Sequence, residues 1–548
     1  MNSTSRLVAA VFAAVVLMLP GAVRAQDDKA AAKPAAAEKT PGPALPADAT
    51  TQGAVDVGGQ HIAYNAIAGT ITVGATDAQD AQLGMDGKPL PGTQLALTPP
   101  KEPADTPPVA RMFYVAYFKK DAKAEDRPIT FFYNGGPGSS TVWLHMGSVG
   151  PKNVVTDGDQ HMPAAPYKLV DNPNCLLDVS DLVFIDAPGT GFGRLIGKDA
   201  EKAFWGVDED GGAFARFIAR FISKYDRWNS PKFIFGESYG TTRSAVLAKM
   251  LEEDKSIDLN GVILLSQIFN FSVFIDFAET NPGVDLPYIL SLPTYAATAW
   301  YHKKLAQQPP ALEPFLKEVE DYAMGPYAHA LAQGTDLSDA EKQAVAEKLH
   351  DYTGLPVAYL IKANLRVEGG EFEKNFLDDE DMTTGRYDTR FSGPTVDPLS
   401  KEADYDPQSA AISSAYVSLL NDYMRNDLKY GEGQTYLPEI EVWGDSVHWD
   451  FKHGDNPLNL NVSGDLAEAM KTNPRLKVML NGGYYDLATP FFGAMYEEKH
   501  LPIPVSLAKN IEYDWYESGH MVYVREECRK QLHDRVAAFI KGASGTAE

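Results

Sequence analysis

The sequence has few cysteines and a shortage of positive charge. Only Cys175 and Cys528 occur in 548 residues, so a disulfide framework cannot hold the fold together, although one bridge between the two stays open. The 49 Lys and Arg are outnumbered by 74 Asp and Glu, which gives a formal net charge of -25. Because nucleic acids and anionic membranes attract clustered positive charge, we expect neither as a partner.

Long apolar runs are also lacking beyond the first 25 residues. The later stretch at residues 262–278 is interrupted by Gln267, Asn270 and Asp276, which favours a buried strand followed by irregular chain over a membrane span. With 44% apolar and 11% aromatic residues, the chain can nevertheless bury at least one large core. This composition is typical of a globular protein and leaves the oligomeric state open.

The N-terminal residues are typical of export. Arg6 precedes the apolar residues 7–19, and small residues follow, so residues 1–25 predict a signal peptide. A retained membrane anchor is the weaker alternative, because the run is too short to span a bilayer comfortably. We expect a periplasmic or secreted protein that begins near Gln26. Residues 26–51, rich in Ala, Pro and charged side chains, predict a disordered linker.

Short apolar runs that end in Gly-rich turns predict a mostly parallel sheet. They are residues 129–133, 182–185, 232–235, 262–265 and 477–480. The β-rich pieces at residues 61–73 and 111–119 predict antiparallel strands at the N-terminal end of the fold. Residues 214–222 place five apolar side chains on one helical face, and a helix between two strands predicts a βαβ crossover. The fold class is therefore α/β.

A long insertion divides this predicted core. More than two hundred residues separate the fourth and fifth apolar runs, far more than a crossover helix requires. The intervening sequence is rich in helix formers, so residues 267–435 predict a mostly helical inserted cap. The core is then formed by residues 52–266 and residues 436–548.

A Gly-Glu-Ser-Tyr-Gly motif at residues 236–240 follows one predicted strand and precedes a helical pattern. A serine in such a strained turn is the nucleophile arrangement of α/β-hydrolases, in which the acid and the histidine follow in chain order. Asp486 comes just after the apolar run at residues 477–480, and His520 lies on a later strand-to-helix loop. We therefore predict Ser238, Asp486 and His520 as a catalytic triad on an α/β-hydrolase fold.

No motif for a metal or an organic cofactor accompanies these residues. His448 and His453 have a spacing that suits a metal only on a flexible loop, and no third ligand accompanies them. A structural role is the simpler interpretation, and we expect neither a metal nor a cofactor.

A second motif, Asn-Gly-Gly-Pro-Gly-Ser-Ser at residues 134–140, follows the first predicted parallel strand. Together with the Gly-Glu-Ser-Tyr sequence it resembles the serine carboxypeptidase family, peptidase family S10. The resemblance covers most of residues 129–265 and 475–525. It implies an acyl-enzyme hydrolase that removes residues from peptide C-termini, with the three triad residues as nucleophile, base and orienting acid.

The resemblance also implies roles around the triad. The backbone N–H groups of Gly136 and Tyr239 would form the oxyanion hole, which stabilises the negative oxygen of the reaction intermediate. Asn134, Gly135 and Glu237 would bind the substrate and its terminal carboxylate.

Three departures from the family pattern bear on this recognition. The motif continues Ser-Tyr-Gly where the family has Ser-Tyr-Ala-Gly, Ser139 replaces a usual cysteine, and Ser148 falls where a second carboxylate-binding Glu is usual. Without that Glu, we expect Glu237 to ionise more readily and Arg243 to compensate by gripping the substrate carboxylate. The alternative activity is that of an esterase or acyltransferase on the same scaffold.

Overall fold

A central sheet organises the molecule. The computed structural model describes residues 47–98, 100–102, 105–442, 448–454 and 459–545. The strands within these residues are β1 (Ala49–Val57), β2 (Gln60–Gly74), β3 (Val109–Lys119), β4 (Ile129–Tyr133), β5 (Lys152–Val154), β6 (Leu169–Asp171), β7 (Asp181–Ile185), β8 (Arg194–Ile196), β9 (Lys232–Glu237), β10 (Gly261–Leu265), β11 (Met382–Thr384), β12 (Ser392–Pro394), β13 (Lys477–Gly483) and β14 (Ile511–Tyr516).

Helices flank the sheet and fill the insertion. They are α1 (Asp77–Asp80), α2 (Gln94–Leu97), α3 (Val142–Gly147), α4 (Ala200–Phe204), α5 (Val207–Lys224), α6 (Tyr239–Lys249), α7 (Leu286–Tyr301), α8 (Leu312–Tyr322), α9 (Ala328–Ala332), α10 (Asp339–Thr353), α11 (Val357–Lys362), α12 (Gly369–Phe376), α13 (Pro407–Asn426), α14 (Ser463–Thr472), α15 (Phe491–Lys499), α16 (Val505–Ala508) and α17 (Glu526–Ala543).

The strand order brings the ends of several strands together. The sheet runs β1-β2-β3-β7-β4-β9-β10-β13-β14, and β8 pairs with β3. The first three strands are antiparallel to their neighbours, and the pairs from β7 to β14 are parallel. The residues that follow β9, β13 and β14 therefore meet at one edge. This arrangement is the α/β-hydrolase fold, and the prediction of that fold is confirmed.

Both faces of the sheet are covered because alternate strand residues point to opposite sides. On one face, α5, α6 and α14 pack on the apolar side chains of the parallel strands. On the other face, α3, α13 and α17 pack in the same way. The predicted apolar face at residues 214–222 belongs to α5, whose five apolar side chains there are fully buried. Burial of these faces holds the loops at the carboxyl edge in fixed positions.

The insertion between β10 and β13 is largely helical in the described residues. Helices α7 to α12 share an apolar cluster with the loop after β13, including Tyr485 and Leu487 on either side of Asp486. Helix α13, the last helix of the predicted cap, instead packs on the core beside α3. The predicted boundaries of cap and core stay a prediction.

The N-terminal predictions fall mostly outside the described residues. The predicted signal peptide at residues 1–25 lies outside them, and so do residues 26–46 of the predicted linker. The last three linker residues, 49–51, belong to the sheet, because β1 starts at Ala49 and pairs with β2 over nine positions. A strand can form there because the sequence alternates and buries Val55 and Val57.

The structure answers the question of a bridge between the two cysteines, open from the sequence, and shows the setting of His453. Cys175 and Cys528 are both buried free thiols. His453 lies between two carboxylates, with its Nδ1 2.6 Å from Asp208 and its Nε2 2.9 Å from Asp465, which raises its pKa to about 9. Throughout the described ranges, no helix is both long and apolar enough to cross a membrane.

A buried ion pair lies beneath the start of α6. Arg243 Nε donates to Asp210 Oδ2 at 2.6 Å, and both side chains are fully buried. Arg243 Nη1 also donates to the Asn134 carbonyl at 2.7 Å. The guanidinium lies against the rings of Tyr133, Phe214 and Tyr239. One arginine thus ties α5, α6 and the residues after β4 together.

We predict that Asp210→Asn lowers the free energy of unfolding by about 3–5 kcal/mol, because it leaves a buried guanidinium without its counter-charge. The double variant Asp210→Leu/Arg243→Met recovers most of that loss. Urea unfolding measures both. Asp321→Asn is the matched control, because it breaks an exposed pair with Lys317 and changes stability little. Wild-type stability in Asp210→Asn would contradict the prediction.

Candidate active site

Ser238 stands in the turn between β9 and α6. Its backbone has φ 60° and ψ -130°, a conformation that a residue other than glycine adopts only where its neighbours hold it. The Ser238 N–H donates to the Leu265 carbonyl at 2.9 Å, and the Thr241 N–H donates to the Ser238 carbonyl at 2.7 Å. The turn thereby projects the serine hydroxyl from the carboxyl edge of the sheet.

Two glycines allow this turn to pack closely. A Cβ at Gly236 would lie 2.2 Å from the Gly240 carbonyl oxygen, which no side chain can accommodate. A Cβ at Gly135 would lie 2.4 Å from the backbone nitrogen of Tyr239. The loop after β4 therefore lies directly against the N-terminus of α6.

Asp486 and His520 meet beside this turn. His520 Nδ1 lies 2.8 Å from Asp486 Oδ2, and both side chains are buried. Thr489 also holds the carboxylate, through its N–H to Oδ1 at 2.9 Å and its hydroxyl to Oδ2 at 2.7 Å. Such contacts fix the orientation of the carboxylate. Because Asp486 accepts at Nδ1–H, Nε2 of His520 is left as the basic nitrogen.

The environment of His520 suits a catalytic base. Burial alone would lower its pKa, but the negative charge and hydrogen bond of Asp486 outweigh burial and raise the pKa above its usual value. Ser238 and His520 line the same cavity. The hydrogen bond between nucleophile and base in such sites commonly tightens only when substrate is bound.

Gly136 and Tyr239 lie next to the serine. Tyr239 is the first residue of α6, so its N–H has no acceptor within the helix and adds to the positive end of the helix dipole. Gly136 has φ +102°, a conformation that favours glycine. Both residues line a cavity together with Ser238. The assignment of their N–H groups to an oxyanion hole stays a prediction.

Two cavities open on either side of Ser238. The first, which we name the Glu237 cavity, has a volume of about 320 Å³. The residues that line it include Asn134, Trp143, Glu237, Ile412, Glu439 and His520. The second, the Phe271 cavity, has a volume of about 400 Å³ and is lined by Phe271, Phe274, Phe277, Asp276 and Arg386 among others. Gly136, Ser238 and Tyr387 line both cavities. A substrate bond at Ser238 would thus lie where the two cavities share their lining.

Glu237 is buried at the inner wall of the Glu237 cavity. Its Oε2 accepts from the Tyr523 hydroxyl at 2.9 Å, and Asn134 is a further hydrogen-bond partner. The Leu144 N–H donates to Asn134 Oδ1 at 3.1 Å, which leaves the amide nitrogen of Asn134 for Glu237. Burial raises the pKa of Glu237 to about 7, and the charge of His520 opposes that rise. Glu237 is therefore a carboxylic acid at mildly acidic pH.

Two expectations about this cavity are wrong, namely that Glu237 ionises readily and that Arg243 grips a carboxylate. Ser148 does not line the cavity, and its hydroxyl donates to the Leu144 carbonyl at 2.6 Å at the end of α3. Glu237 does not ionise readily even without a second Glu, since burial raises its pKa to about 7. Arg243 cannot grip a substrate carboxylate, because it is 1% exposed and paired with Asp210.

A segment of the insertion, residues 386–390, links the acid loop to the histidine loop. The N–H groups of Leu487 and Ala488 both donate to the carbonyl of Arg386 at 3.1 Å, on the acid side. The His520 N–H donates to the Tyr387 carbonyl at 2.6 Å, on the histidine side. This segment could not be predicted from the sequence, where its only signal is an Arg-Tyr-Asp-Thr-Arg run.

Asp388 is the buried centre of that segment. It is paired with Arg390 at 2.6 Å, and its Oδ2 accepts from the Gly519 N–H at 3.1 Å. Tyr387 packs against the imidazole of His520, with 5.0 Å between ring centroids. The segment therefore fixes the backbone on the N-terminal side of His520 and covers its ring.

Metal ligation is not evident at this site. Across the residues that the structure describes, no three His, Cys, Asp or Glu side chains form a group that could hold a metal ion.

A family model described as serine carboxypeptidase matches residues 104–527. The chain belongs to the serine carboxypeptidase family. The predicted resemblance to this family is confirmed. The matched residues include the loop after β4, the turn at Ser238 and the loops of Asp486 and His520.

Curated relatives resemble parts of this family member. It is 27% identical over 145 residues to the pheromone-processing carboxypeptidase KEX1 of Yarrowia lipolytica, covering 26% of this chain and 22% of that protein. It is 24% identical over 179 residues to serine carboxypeptidase-like 36 of Arabidopsis thaliana, covering 31% of this chain and 34% of that protein. The chain thus spans about a third or less of the length of these relatives.

Solved structures resemble the serine carboxypeptidase chain only distantly. Proline iminopeptidase from Mycobacterium smegmatis is 13% identical, with a TM-score of 0.33, covering 80% of this chain and 97% of that chain. A carboxyl esterase from Bacillus coagulans is 10% identical, with a TM-score of 0.31, covering 81% and 97%.

We predict that Ser238→Ala, Asp486→Asn and His520→Ala each lower kcat by at least about 1,000-fold, and that their losses do not add, because the three residues act as one unit. Hydrolysis of a chromogenic ester measures this. Ser413→Ala is the matched control, because Ser413 lines the same cavity. If Asp486→Asn kept more than about a tenth of kcat, another acid would have to orient His520.

We also predict that Asp388→Asn lowers kcat about 10- to 100-fold while KM changes little, because loss of the Arg390 pair loosens the backbone beside His520. The acid limb of the pH profile should shift, since the imidazole is held less firmly against Asp486. Asp397→Asn, an exposed change in the same insertion, is the control. An unchanged kcat and pH profile in folded Asp388→Asn would show that the segment does not position the histidine.

Proposed function

We propose that the chain is a serine-type carboxypeptidase that hydrolyses the last peptide bond of a peptide substrate through an acyl-enzyme. The observation that carries this proposal is the position of Glu237 and Asn134 in the cavity that Ser238 and His520 also line. The buried polar side chains of Glu237 and Asn134 at one end of this cavity suit recognition of a peptide C-terminus. Family membership supports the same activity.

The proposed reaction begins with proton transfer. His520 Nε2 takes the proton of the Ser238 hydroxyl as the serine oxygen bonds to the substrate carbonyl carbon. The N–H groups of Gly136 and Tyr239 hold the resulting oxyanion. Protonated His520 then gives its proton to the leaving nitrogen, the C–N bond breaks, and the terminal amino acid departs. Water attacks the acyl-enzyme by the same path and restores the Ser238 hydroxyl.

Glu237 would recognise the terminal carboxylate as a neutral acid. Protonated Glu237 can donate a hydrogen bond to that carboxylate, and the amide nitrogen of Asn134 can donate a second. Ionised Glu237 would repel the substrate instead. Since burial raises the pKa of Glu237 to about 7, its proton is present at mildly acidic pH without a second glutamate.

Esterase or acyltransferase activity is the competing function. The triad alone can transfer an acyl group from an ester to water or to another acceptor. That function requires no recognition of a free carboxylate, so it assigns no role to the proton of Glu237. The two proposals therefore differ in how activity depends on the substrate terminus.

Export is part of the proposal. The charged start and apolar core of residues 1–25 support a signal peptide and a periplasmic or secreted enzyme that begins near Gln26. Mass measurement of the protein recovered outside the cytoplasm would identify its first residue.

We predict that kcat/KM for a peptide with a free C-terminus falls above about pH 7, where Glu237 ionises and repels the substrate. On the acid side it falls as His520 becomes protonated. A peptide amide of the same sequence, though cleaved more weakly, lacks the alkaline limb. In Glu237→Gln the alkaline limb disappears for the free peptide too, because Gln donates a hydrogen bond at every pH.

Profiles of the two matched peptides with wild type and Glu237→Gln test this prediction. Equal kcat/KM for the free and amidated peptides at acidic pH would contradict carboxypeptidase recognition. Hydrolysis of esters but of neither peptide would favour the competing function.

A further inference from the structure

Glu439 occupies a fixed place in the wall of the Glu237 cavity. The Ser140 N–H donates to the Pro438 carbonyl at 2.8 Å, and the Ile440 N–H donates to the Gly138 carbonyl at 2.9 Å. Glu439 itself forms an isolated antiparallel bridge with Ser139. Hydrogen bonds on both sides of the residue thus hold it against the loop after β4, next to the proposed oxyanion hole.

The charge of Glu439 has no counter-ion in the cavity wall. The lining residues, within the part of the chain that the structure describes, include Glu237, Glu439 and His520 but no Lys or Arg. The proposed mechanism requires a protonated Glu237 and a neutral His520 in the reactive form. Ionised Glu439 is then the remaining full charge that faces the substrate, and it favours a cationic group.

The rest of the wall suits a long side chain with a polar end. Trp143, Ile412, Val417 and Met521 line the cavity with apolar surface. Lysine and arginine place their methylene stems along such surfaces and keep their charged ends near a polar partner. Glu439 is exposed and its carboxylate is also within hydrogen-bond reach of the Trp143 indole.

The Phe271 cavity offers no such unpaired charge. Its acidic residue, Asp276, pairs with Arg386 at 2.6 Å. Phe271, Phe274 and Phe277 supply the apolar part of its wall. Selection by charge is therefore expected on the side of Ser238 that holds Glu439.

We propose that Glu439 is a specificity-determining residue that makes the enzyme prefer substrates ending in lysine or arginine. This rests on the proposed function, in which the Glu237 cavity holds the terminal residue. The carboxylate of that residue lies at Glu237 and Asn134, its apolar stem along the wall, and its cationic end at Glu439.

The test compares peptides that differ only in the last residue, which is Lys, Met or Glu. Partial burial raises the pKa of Glu439, and the charge of nearby Glu441 raises it further. Therefore kcat/KM is measured at about pH 6.5, above the usual range of carboxylate pKa values. For wild type we expect kcat/KM for the Lys peptide to be about five- to tenfold higher than for the Met peptide, because a charge-assisted contact stabilises the bound Lys side chain by a corresponding amount. The Glu peptide should be the poorest.

Variants of Glu439 test whether the preference depends on its charge. Glu439→Gln should bring the Lys to Met ratio close to one, because kcat/KM falls more for the Lys peptide than for the Met peptide, and cleavage of the Met peptide shows that the triad still works. Glu439→Lys should favour the Glu peptide. Glu432→Gln removes an exposed carboxylate outside the cavity, and the wild-type ratio should persist.

A Lys to Met ratio of one or less in wild type, or an unchanged ratio in Glu439→Gln, overturns the assignment of Glu439. Cleavage of the Met peptide in the same experiment leaves the carboxypeptidase proposal standing. Failure of wild type to remove the last residue from any of the three free peptides overturns both proposals.

Discussion

The strained backbone of Ser238 is the constraint on which the site depends. A φ of 60° costs free energy, and the turn persists because its neighbours leave it no relaxed alternative. Gly236 and Gly135 permit contacts that a Cβ would prevent, and Arg243, paired with Asp210, ties α6 to the loop after β4 through the Asn134 carbonyl. The same packing that exposes the serine also brings the loop after β4 against the first N–H of α6. Nucleophile and proposed oxyanion donors are thus products of one packing arrangement.

Burial sets the protonation of the groups around that turn. Removal of water raises the pKa of Glu237 to about 7, whereas the charge of Asp486 outweighs the same effect at His520. Both shifts have the same direction, so each group keeps its proton to higher pH than it would in water, in a chain with a net charge of -25. The unpaired charge of Glu439 stands out against this background, because the other acids near Ser238 are protonated or paired with a cation or a histidine.

Elements that are defined by a few neighbouring residues could be predicted from the sequence. The apolar runs at β4, β7, β9, β10 and β13 and the turn at Ser238 follow from residue types over a few positions, and the family resemblance rests on two such motifs. Asp388 could not be predicted, because its contact with Gly519 spans 131 positions and requires the insertion to be folded. The ionisation of Glu237 and the role of Arg243 could not be predicted for a related reason: counting charges along the chain does not reveal which are buried. Strand β1 was partly missed because its short alternation follows a Pro-rich run.

Mass spectrometry of the products from one peptide with a free C-terminus tests the central claim most directly. Wild type should yield the peptide shortened by one residue from its C-terminus, together with the free amino acid. A fluorophosphonate should stop the reaction and leave one adduct, located on Ser238. Internal fragments, or product formed while Ser238 carries the adduct, would contradict a carboxypeptidase that uses this serine.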